Sequence, residues 1–387
     1  MLTTLAVSGY RSLRDLVVPL AELTVVTGEN GTGKSSLYRA LGLLSQAASG
    51  SMISSLTASG GLQAVQWAGP AKLSAGMRSG EVAVTGTRRQ GPVRLQLGFA
   101  SDSLGYTVDL GLPTASEAGR FPLDASIKVE TVFGGPIPRP ASVVLERSGG
   151  FIRQRGDDGW EGVPGGANPS TSILTELTDP RSAPEVVQVR HQIQGWRFYD
   201  HLRTDPGAPA RRDHLATRTP VLAPDGADLA SALATIAEIG RGDVLDRVIS
   251  DGLEGSSVSL REDDAGRLCL GLQQPGMLRA LPVADLSDGT LRFLLLVAAL
   301  LSPRPPQLLV LNEPETSLHP RLLAPLARLI LEARETSQVI VVTHAQELAQ
   351  ALRQGDARSL DLVKELGETR VVGRGLLDVP PWHWPGR

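Results

Sequence analysis

The sequence predicts an α/β protein: a mostly parallel sheet core, an antiparallel β subdomain, and a mixed inserted and helical lobe. Three observations carry this. A buried strand, LTVVTG, runs into a glycine-punctuated turn and then a helical pattern near the N-terminus. Short alternating segments separated by Gly, Pro and Ser follow from about Met77 to Gly150. From Val283 onward, buried strands alternate with amphipathic helices, the texture of a largely parallel sheet.

Taken in order, LAVSGYRSLRD opens with β-rich alternation, and the helix expected from about Lys34 carries Leu37, Leu41 and Leu44 on one face. EVAVTGTRR, VRLQLGFA, YTVDLGL, SIKVETVF and SVVLERS read as antiparallel strands, and Arg155 to Pro184, rich in Gly, Pro, Asp and Ser, reads as loop. The mixed region to about Gln274 holds one clear helix, GADLASALATIAEIG, with an acid before its first turn and Gly240 after its last. The expected organisation is an N-terminal lobe over 1–150, an inserted region over 151–280 and a C-terminal lobe over 281–387. The two ends read as halves of one nucleotide-binding fold.

The 387 residues can bury a large core, as two or three domains or one with a long insertion. No basic stretch followed by an apolar core and a small-residue cleavage site opens the chain, and the apolar run LRFLLLVAALL contains Arg292 and is too short for a bilayer. A cytoplasmic protein without a membrane partner is expected. Cys269 is the only cysteine, which excludes an internal disulfide and any multi-cysteine metal site. The net charge of −3 supplies no global field toward nucleic acid or membrane. Of 38 basic residues only Lys34, Lys72, Lys128 and Lys364 are lysines, so a lysine at a special position stands out.

Gly28-Glu29-Asn30-Gly31-Thr32-Gly33-Lys34-Ser35 fits G-x-x-x-x-G-K-[ST] in full, between the strand and the helix that this pattern requires. Its glycines let backbone N–H groups turn around phosphate oxygens, Lys34 reaches the β and γ phosphates, and Ser35 ligates Mg²⁺. LSDGT, Leu286 to Thr290, leads into an apolar helix; alone, such a stretch is more often a helix cap, and its position just upstream of a buried strand ending in acid points to function. LLVLNE delivers Asn312 and Glu313 to the carboxyl edge of the sheet, where Glu313 is the candidate general base for in-line attack by water. QVIVVTH delivers Thr343 and His344 from the next buried strand.

With these elements in this order, the sequence resembles the ATP-binding cassette (ABC) type of P-loop NTPase. Within that type it resembles the RecF, SMC and OLD branch, and more closely the bacterial AAA-family ATPases of that branch. LSDGT is similar to the LSGGQ signature, LAVSGYRSLRD to the branch's N-terminal strand and turn, and LAPDGADLASAL to its P-D-G-x-N-L-A helix start, with Asp228 in place of Asn. The resemblance implies ATP and Mg²⁺ as cofactors and a homodimer that closes head to tail on ATP. Gly28, Asn30, Gly31, Gly33, Lys34, Ser35 and Ser36 would bind the nucleotide in cis, and Ser287 and Gly289 in trans. Ser35 and Asn312 would hold the metal. Glu313, His344 and Lys34 would be catalytic, with His344 sensing the γ-phosphate. A glutamine that senses Mg²⁺ and the attacking water is either Gln63 or Gln66, and Arg11 matches the branch's N-terminal arginine.

Most cassette ATPases place aspartate where this chain has Asn312. The amide oxygen can still accept from a metal-bound water, yet carries no charge to offset the metal. Two functions therefore stay open: a slow ATPase whose closure is passed to a partner protein, a nuclease or effector, or to DNA, and an ATP-bound regulatory scaffold. Asn312→Asp is expected to tighten Mg²⁺. No sustained heptads separate the halves, unlike an SMC arm, and only 43 residues follow His344, too few for the nuclease domain of OLD proteins. RHQIQGWRFYDHLRTDPGAPARRDH gathers Arg190, Trp196, Arg197, Phe198, Tyr199, Arg203, Arg211 and Arg212. It is either a surface for a nucleic acid strand or an aromatic core with exposed arginines.

Overall fold

The computed structural model describes residues 1–70, 76–77, 81–82, 93–114, 119–200, 202–373, 375 and 378–386. The chain forms two units. Met1–Ala21, Gly28–Gly195 and Leu360–Arg387 make the first, and Glu22–Thr27 with Trp196–Ser359 the second.

The first unit is built on an eight-stranded antiparallel sheet. Its strands follow the order Leu13–Pro19, Leu2–Tyr10, Arg94–Ser101, Leu104–Gly111, Ser126–Gly134, Val143–Ser148, Phe151–Gly156, Gly159–Gly162. Four of the expected strands lie here; the one expected over EVAVTGTRR falls mostly outside the described residues. The loop expected over Arg155–Pro184 needs correction, because the sheet continues through the hairpin 151–162 and a helix starts at Pro184. Asp157 and Asp158 make the turn, Gly159 opens the return strand at φ 130°, and the local richness in Gly and Asp is that of a tight hairpin. Leu37, Leu41 and Leu44 are buried on the helix Lys34–Ala47, as their spacing predicts.

One buried ion pair organises this sheet's far side. Arg147 and Glu130, both 0% exposed, meet at 3.0 Å. Tyr106 and Ser172 donate their hydroxyls to Glu130 Oε1, and Arg147 donates to the carbonyls of Asn168 and Thr171. Two charges taken from water need such complete pairing to be tolerated. Here it fastens the segment 168–173 to the sheet. Burial, and then the neighbouring Glu130 carboxylate, push the Tyr106 hydroxyl well above its ordinary pKa.

In the second unit, the strands Trp196–Tyr199, Leu308–Asn312, Gln338–Val342 and Leu23–Gly28 lie side by side and parallel. The N-terminal strand thus joins the sheet of the C-terminal residues, as the split pattern of buried strands predicts. Continuous apolar runs suit this sheet, since its strand residues are buried rather than alternating. The core gathers Leu309, Leu311, Val339 and Val341 with Leu291, Phe293, Leu294 and Leu295 of the helix Asp288–Leu300. The helices Leu229–Ile236, Leu323–Ala333 and Gln346–Gln354 add to it, as do Leu270 and Leu272 of the strand Arg267–Gln273. The helix stop expected at Gly240 is not one: a π turn over Ala237–Arg241 carries the chain into the helix Gly242–Gly252. Leu245 and Ile249 continue the apolar stripe there, and their burial outweighs the glycine's low helix propensity. Among the described residues no helix is long and apolar enough to cross a membrane.

Candidate nucleotide site

The phosphate loop follows directly from the strand Leu23–Gly28. Gly28, Gly31 and Gly33 all take positive φ, at 144°, 83° and 108°. A Cβ on Gly33 would lie 2.2 Å from Thr369 Oγ1, and one on Gly28 would lie 2.4 Å from the Leu362 carbonyl oxygen. Glycine is therefore required by space as well as by φ at both ends of the loop. Thr369 N–H donates to the Ser12 carbonyl, and the Thr369 hydroxyl lies 2.7 Å from Thr32 O and 2.8 Å from Ser12 Oγ. The N-terminal turn Tyr10-Arg11-Ser12, with Arg11 at φ 49°, thus braces the loop from the side.

Glu29, Asn30 and Gly31 are exposed at the tip, as is Ser35 on the first turn of the helix, while Ser36 is half-buried. Lys34 is only 6% exposed, and its Nζ donates to the carbonyls of Gly28 at 2.5 Å and Glu29 at 3.0 Å. A lysine held within its own loop is placed to follow phosphates bound there. Of the two candidate glutamines, Gln63 is exposed on the short helix Gly61–Val65. Gln66 pairs with Tyr10 in an isolated bridge, and its Nε2 is buried with no hydrogen-bond partner among the described residues.

In the second unit, the carboxyl edge of the parallel sheet brings Asn312, Glu313 and His344 together. Glu313 N–H donates to the Val342 carbonyl at 2.7 Å, tying the two strand ends. Glu313 itself sits at φ 47°, a strained conformation for a residue with a Cβ and one concentrated at functional positions. Its side chain is 40% exposed, and Oε1 lies 3.8 Å from His344 Nδ1.

Glu315, which sequence reasoning passed over, holds this edge together. Its Oε1 accepts from Thr343 Oγ1 at 2.6 Å, His344 N at 3.0 Å and Ala345 N at 3.1 Å, and lies 3.2 Å from His344 Nδ1. The available signal was the second acid in NEPE, two residues past Glu313. Asp200 was also passed over. It follows the strand Trp196–Tyr199 and accepts from Asn312 Nδ2 at 2.7 Å.

Ser287 caps the helix Asp288–Leu300, accepting from Thr290 N–H at 3.2 Å. The cap function and an exposed serine coexist here. A Cβ on Gly289 would lie 2.8 Å from the Ser317 carbonyl oxygen, so this glycine lets the loop after Glu313 approach the signature. Ser287, Gly289, Thr290, Ser317, His319 and Arg321 line an open cleft of about 630 Å³. Arg211 clasps the same signature from behind: it donates to the carbonyls of Ala284 at 3.0 Å and Leu286 at 2.8 Å and pairs with Asp288.

Much of the basic and aromatic cluster is thus structural. Trp196 and Tyr199 are buried, Tyr199 donates to the Leu222 carbonyl, Arg203 pairs with Asp205, and Arg211 is committed to the signature. Burial raises the Tyr199 hydroxyl far above its usual range. Arg292 of the signature helix, 6% exposed, donates to the carbonyls of Leu202 at 2.9 Å, Asp200 at 3.1 Å and Glu313 at 3.3 Å. Burial lowers its pKa, and the carboxylates of Asp200 and Glu315 oppose that shift.

Among the described residues, no group of three or more His, Cys, Asp and Glu could hold a metal. At the carboxyl edge of the second unit's parallel sheet the candidate donors are amide and single carboxylate oxygens, the kind a hard cation takes. Asn312 Oδ1, buried and without a partner among the described residues, is one such donor.

Residues 178–349 match the family described as "AAA domain, putative AbiEii toxin, Type IV TA system", and residues 1–51 match the one described as "Protein of unknown function (DUF2813)". The first match spans Asp200, the signature, Glu313 and His344; the second spans the N-terminal turn and the phosphate loop. No curated protein matches the chain by sequence. Among solved structures, an Smc head bound to the C-winged helix domain of ScpA is similar at 14% identity and a TM-score of 0.49, covering 97% of this chain and 98% of that one. The SMC head domain from Thermotoga maritima is similar at 13% identity and a TM-score of 0.47, covering 97% and 99%. An Smc head with an extended coiled coil, bound to the C-terminal domain of ScpA derived from Pyrococcus furiosus, is similar at 13% identity and a TM-score of 0.49, covering 96% and 95%.

Proposed function

We propose that this chain, whose residues 178–349 match an AAA-domain family, is an ABC-type ATPase of the RecF/SMC/OLD branch that binds ATP with Mg²⁺ and hydrolyses it slowly. Two copies would close around the nucleotide, passing the motion to a partner protein or to DNA. The observation that carries this is at the carboxyl edge of the parallel sheet, where Glu313 and His344 stand 3.8 Å apart on a scaffold fixed by Glu315. A carboxylate that is exposed, backbone-positioned and adjacent to an imidazole is equipped to orient water and to register a phosphate.

Each residue has a role in the proposal. Lys34 and the N–H groups of Gly28, Asn30, Gly31, Gly33, Ser35 and Ser36 hold the phosphates. Ser35 and Asn312 hold Mg²⁺, which when bound would offset phosphate charge. Glu313 accepts the proton of the attacking water, and His344 donates toward the γ-phosphate. Gln66 rather than Gln63 is the sensing glutamine, because its buried Nε2 lacks a partner among the described residues while Gln63 is solvated. Ser287 and Gly289 face a neighbouring copy's nucleotide, which the open cleft beside them supports.

The test is equilibrium binding of ATP to wild type and Lys34→Ala. Binding by the wild type and its loss in the variant is the expected result. Equal affinity in both proteins would overturn the phosphate-loop assignment.

A further inference from the structure

The asparagine at the end of the base strand has a specific neighbour. Tyr199 is in register with Leu311, so Asp200 and Asn312 are the next residues along adjacent parallel strands, and residues so placed project to the same face. The Asn312 amide donates Nδ2–H to Asp200 Oδ1 at 2.7 Å. Because an amide's nitrogen and oxygen point in opposite senses, this bond fixes Oδ1 away from Asp200. That oxygen is buried and has no partner among the described residues.

Both strand ends are further fixed by one cation. The Arg292 guanidinium donates to the carbonyls of Asp200 and Glu313, so the pair cannot drift apart without breaking buried charge-assisted bonds. An aspartate at 312 would lose the Nδ2–H that now ties this position to Asp200 and set two carboxylates side by side.

On the ATP-binding function proposed above, we propose that Asp200 supplies the anionic charge of the Mg²⁺ site, one strand removed from the position that carries it in most cassette ATPases. Asn312 then has two roles. Its Nδ2 orients the Asp200 carboxylate, and its Oδ1 accepts from water on the metal. Mg²⁺ prefers carboxylate oxygen and keeps several waters, so a charged group and a neutral acceptor side by side form a suitable half-site.

The experiment uses the full chain carrying Glu313→Gln, to suppress turnover, and measures the affinity of a fluorescent ATP analogue from excess EDTA through rising Mg²⁺. Asp200→Asn is expected to raise the Mg²⁺ concentration needed for half-maximal tightening by about 10-fold or more, with affinity in EDTA unchanged. The transposed variant, Asp200→Asn with Asn312→Asp, is expected to recover most of that loss. If Asp200→Asn does not fold, the transposed pair and Asp200→Glu carry the same comparison. An unchanged Mg²⁺ requirement in Asp200→Asn, or no recovery on transposition, overturns the assignment. An equal loss of affinity in EDTA and in Mg²⁺ would make Asp200 a purely structural group and overturn it too. Failure of the parent to bind ATP at any Mg²⁺ concentration would instead refute the ATP-binding function, and this assignment with it.

Discussion

Glu315 Oε1 accepts the backbone N–H of His344 at 3.0 Å and lies 3.2 Å from the same residue's Nδ1, so one buried carboxylate oxygen sets both the backbone and the ring of the histidine. Thr343 and Ala345 donate to that oxygen as well. Ala345 N–H also reaches Thr343 Oγ1, but Glu315→Ala would leave the Thr343 hydroxyl and the His344 N–H without this acceptor, at a cost of about 1–3 kcal/mol in stability. Glu315→Gln keeps an acceptor and should unfold closer to wild type, yet lower kcat while leaving ATP affinity intact. Chemical denaturation and steady-state kinetics on both variants check this. Equal kcat in Glu315→Gln and wild type would remove Glu315 from the catalytic arrangement.

Arg292 donates to carbonyls at the ends of two parallel strands from within the signature helix. Arg292→Met preserves much of the volume but leaves those carbonyls facing apolar atoms. The expected loss is at least about 2 kcal/mol by denaturant unfolding. A loss within about 0.5 kcal/mol, the range of ordinary surface changes, would mean that water replaces the guanidinium.

Ser287 is exposed and lines the cleft beside the signature. Ser287→Arg should leave ATP binding by the monomer unchanged and prevent ATP-dependent dimerisation, read by light scattering in the Glu313→Gln background. The helix loses a cap as well, worth about 1 kcal/mol, so thermal unfolding of the variant is measured alongside. A dimer that persists with ATP would contradict the trans role of Ser287.

Gly33 has Thr369 Oγ1 where a Cβ would go, and it takes φ 108°. Gly33→Ala should displace the hairpin Arg358–Glu365 and Glu368–Val371 from the loop and weaken ATP binding by at least about 10-fold, since strain at such a position costs roughly 1–3 kcal/mol. Thr369→Ala in the same chain relieves the contact with the hydroxyl but not the φ, and is expected to restore only part of the affinity. Full affinity in Gly33→Ala would show that the loop opens without cost.

The candidate site was legible in the sequence wherever its residues are local. The phosphate loop, the strand ending in Asn312 and Glu313, and the strand ending in His344 each announce themselves by an apolar run followed by polar residues. What was not legible depends on neighbours distant in sequence. Asp200 becomes meaningful only because Trp196–Tyr199 lies beside Leu308–Asn312, more than a hundred positions later. Arg211 belonged by spacing to a basic cluster, and only the packing of 204–211 behind the signature turns it inward. The hairpin 151–162 was hidden by its own turn residues, because Gly and Asp at a tight turn have the same composition as an irregular loop. Asp200 also bears on Asn312, whose amide donates to a carboxylate that the sequence alone does not place beside it.

The most direct measurement is steady-state ATP turnover with Mg²⁺ in wild type and Glu313→Gln over a range of protein concentrations. Turnover per subunit that rises with concentration, and vanishes in Glu313→Gln while ATP still binds, is the predicted result. Wild-type turnover that Glu313→Gln leaves unchanged would contradict Glu313 as the base, and ATP bound without turnover in either protein would contradict hydrolysis by the chain itself.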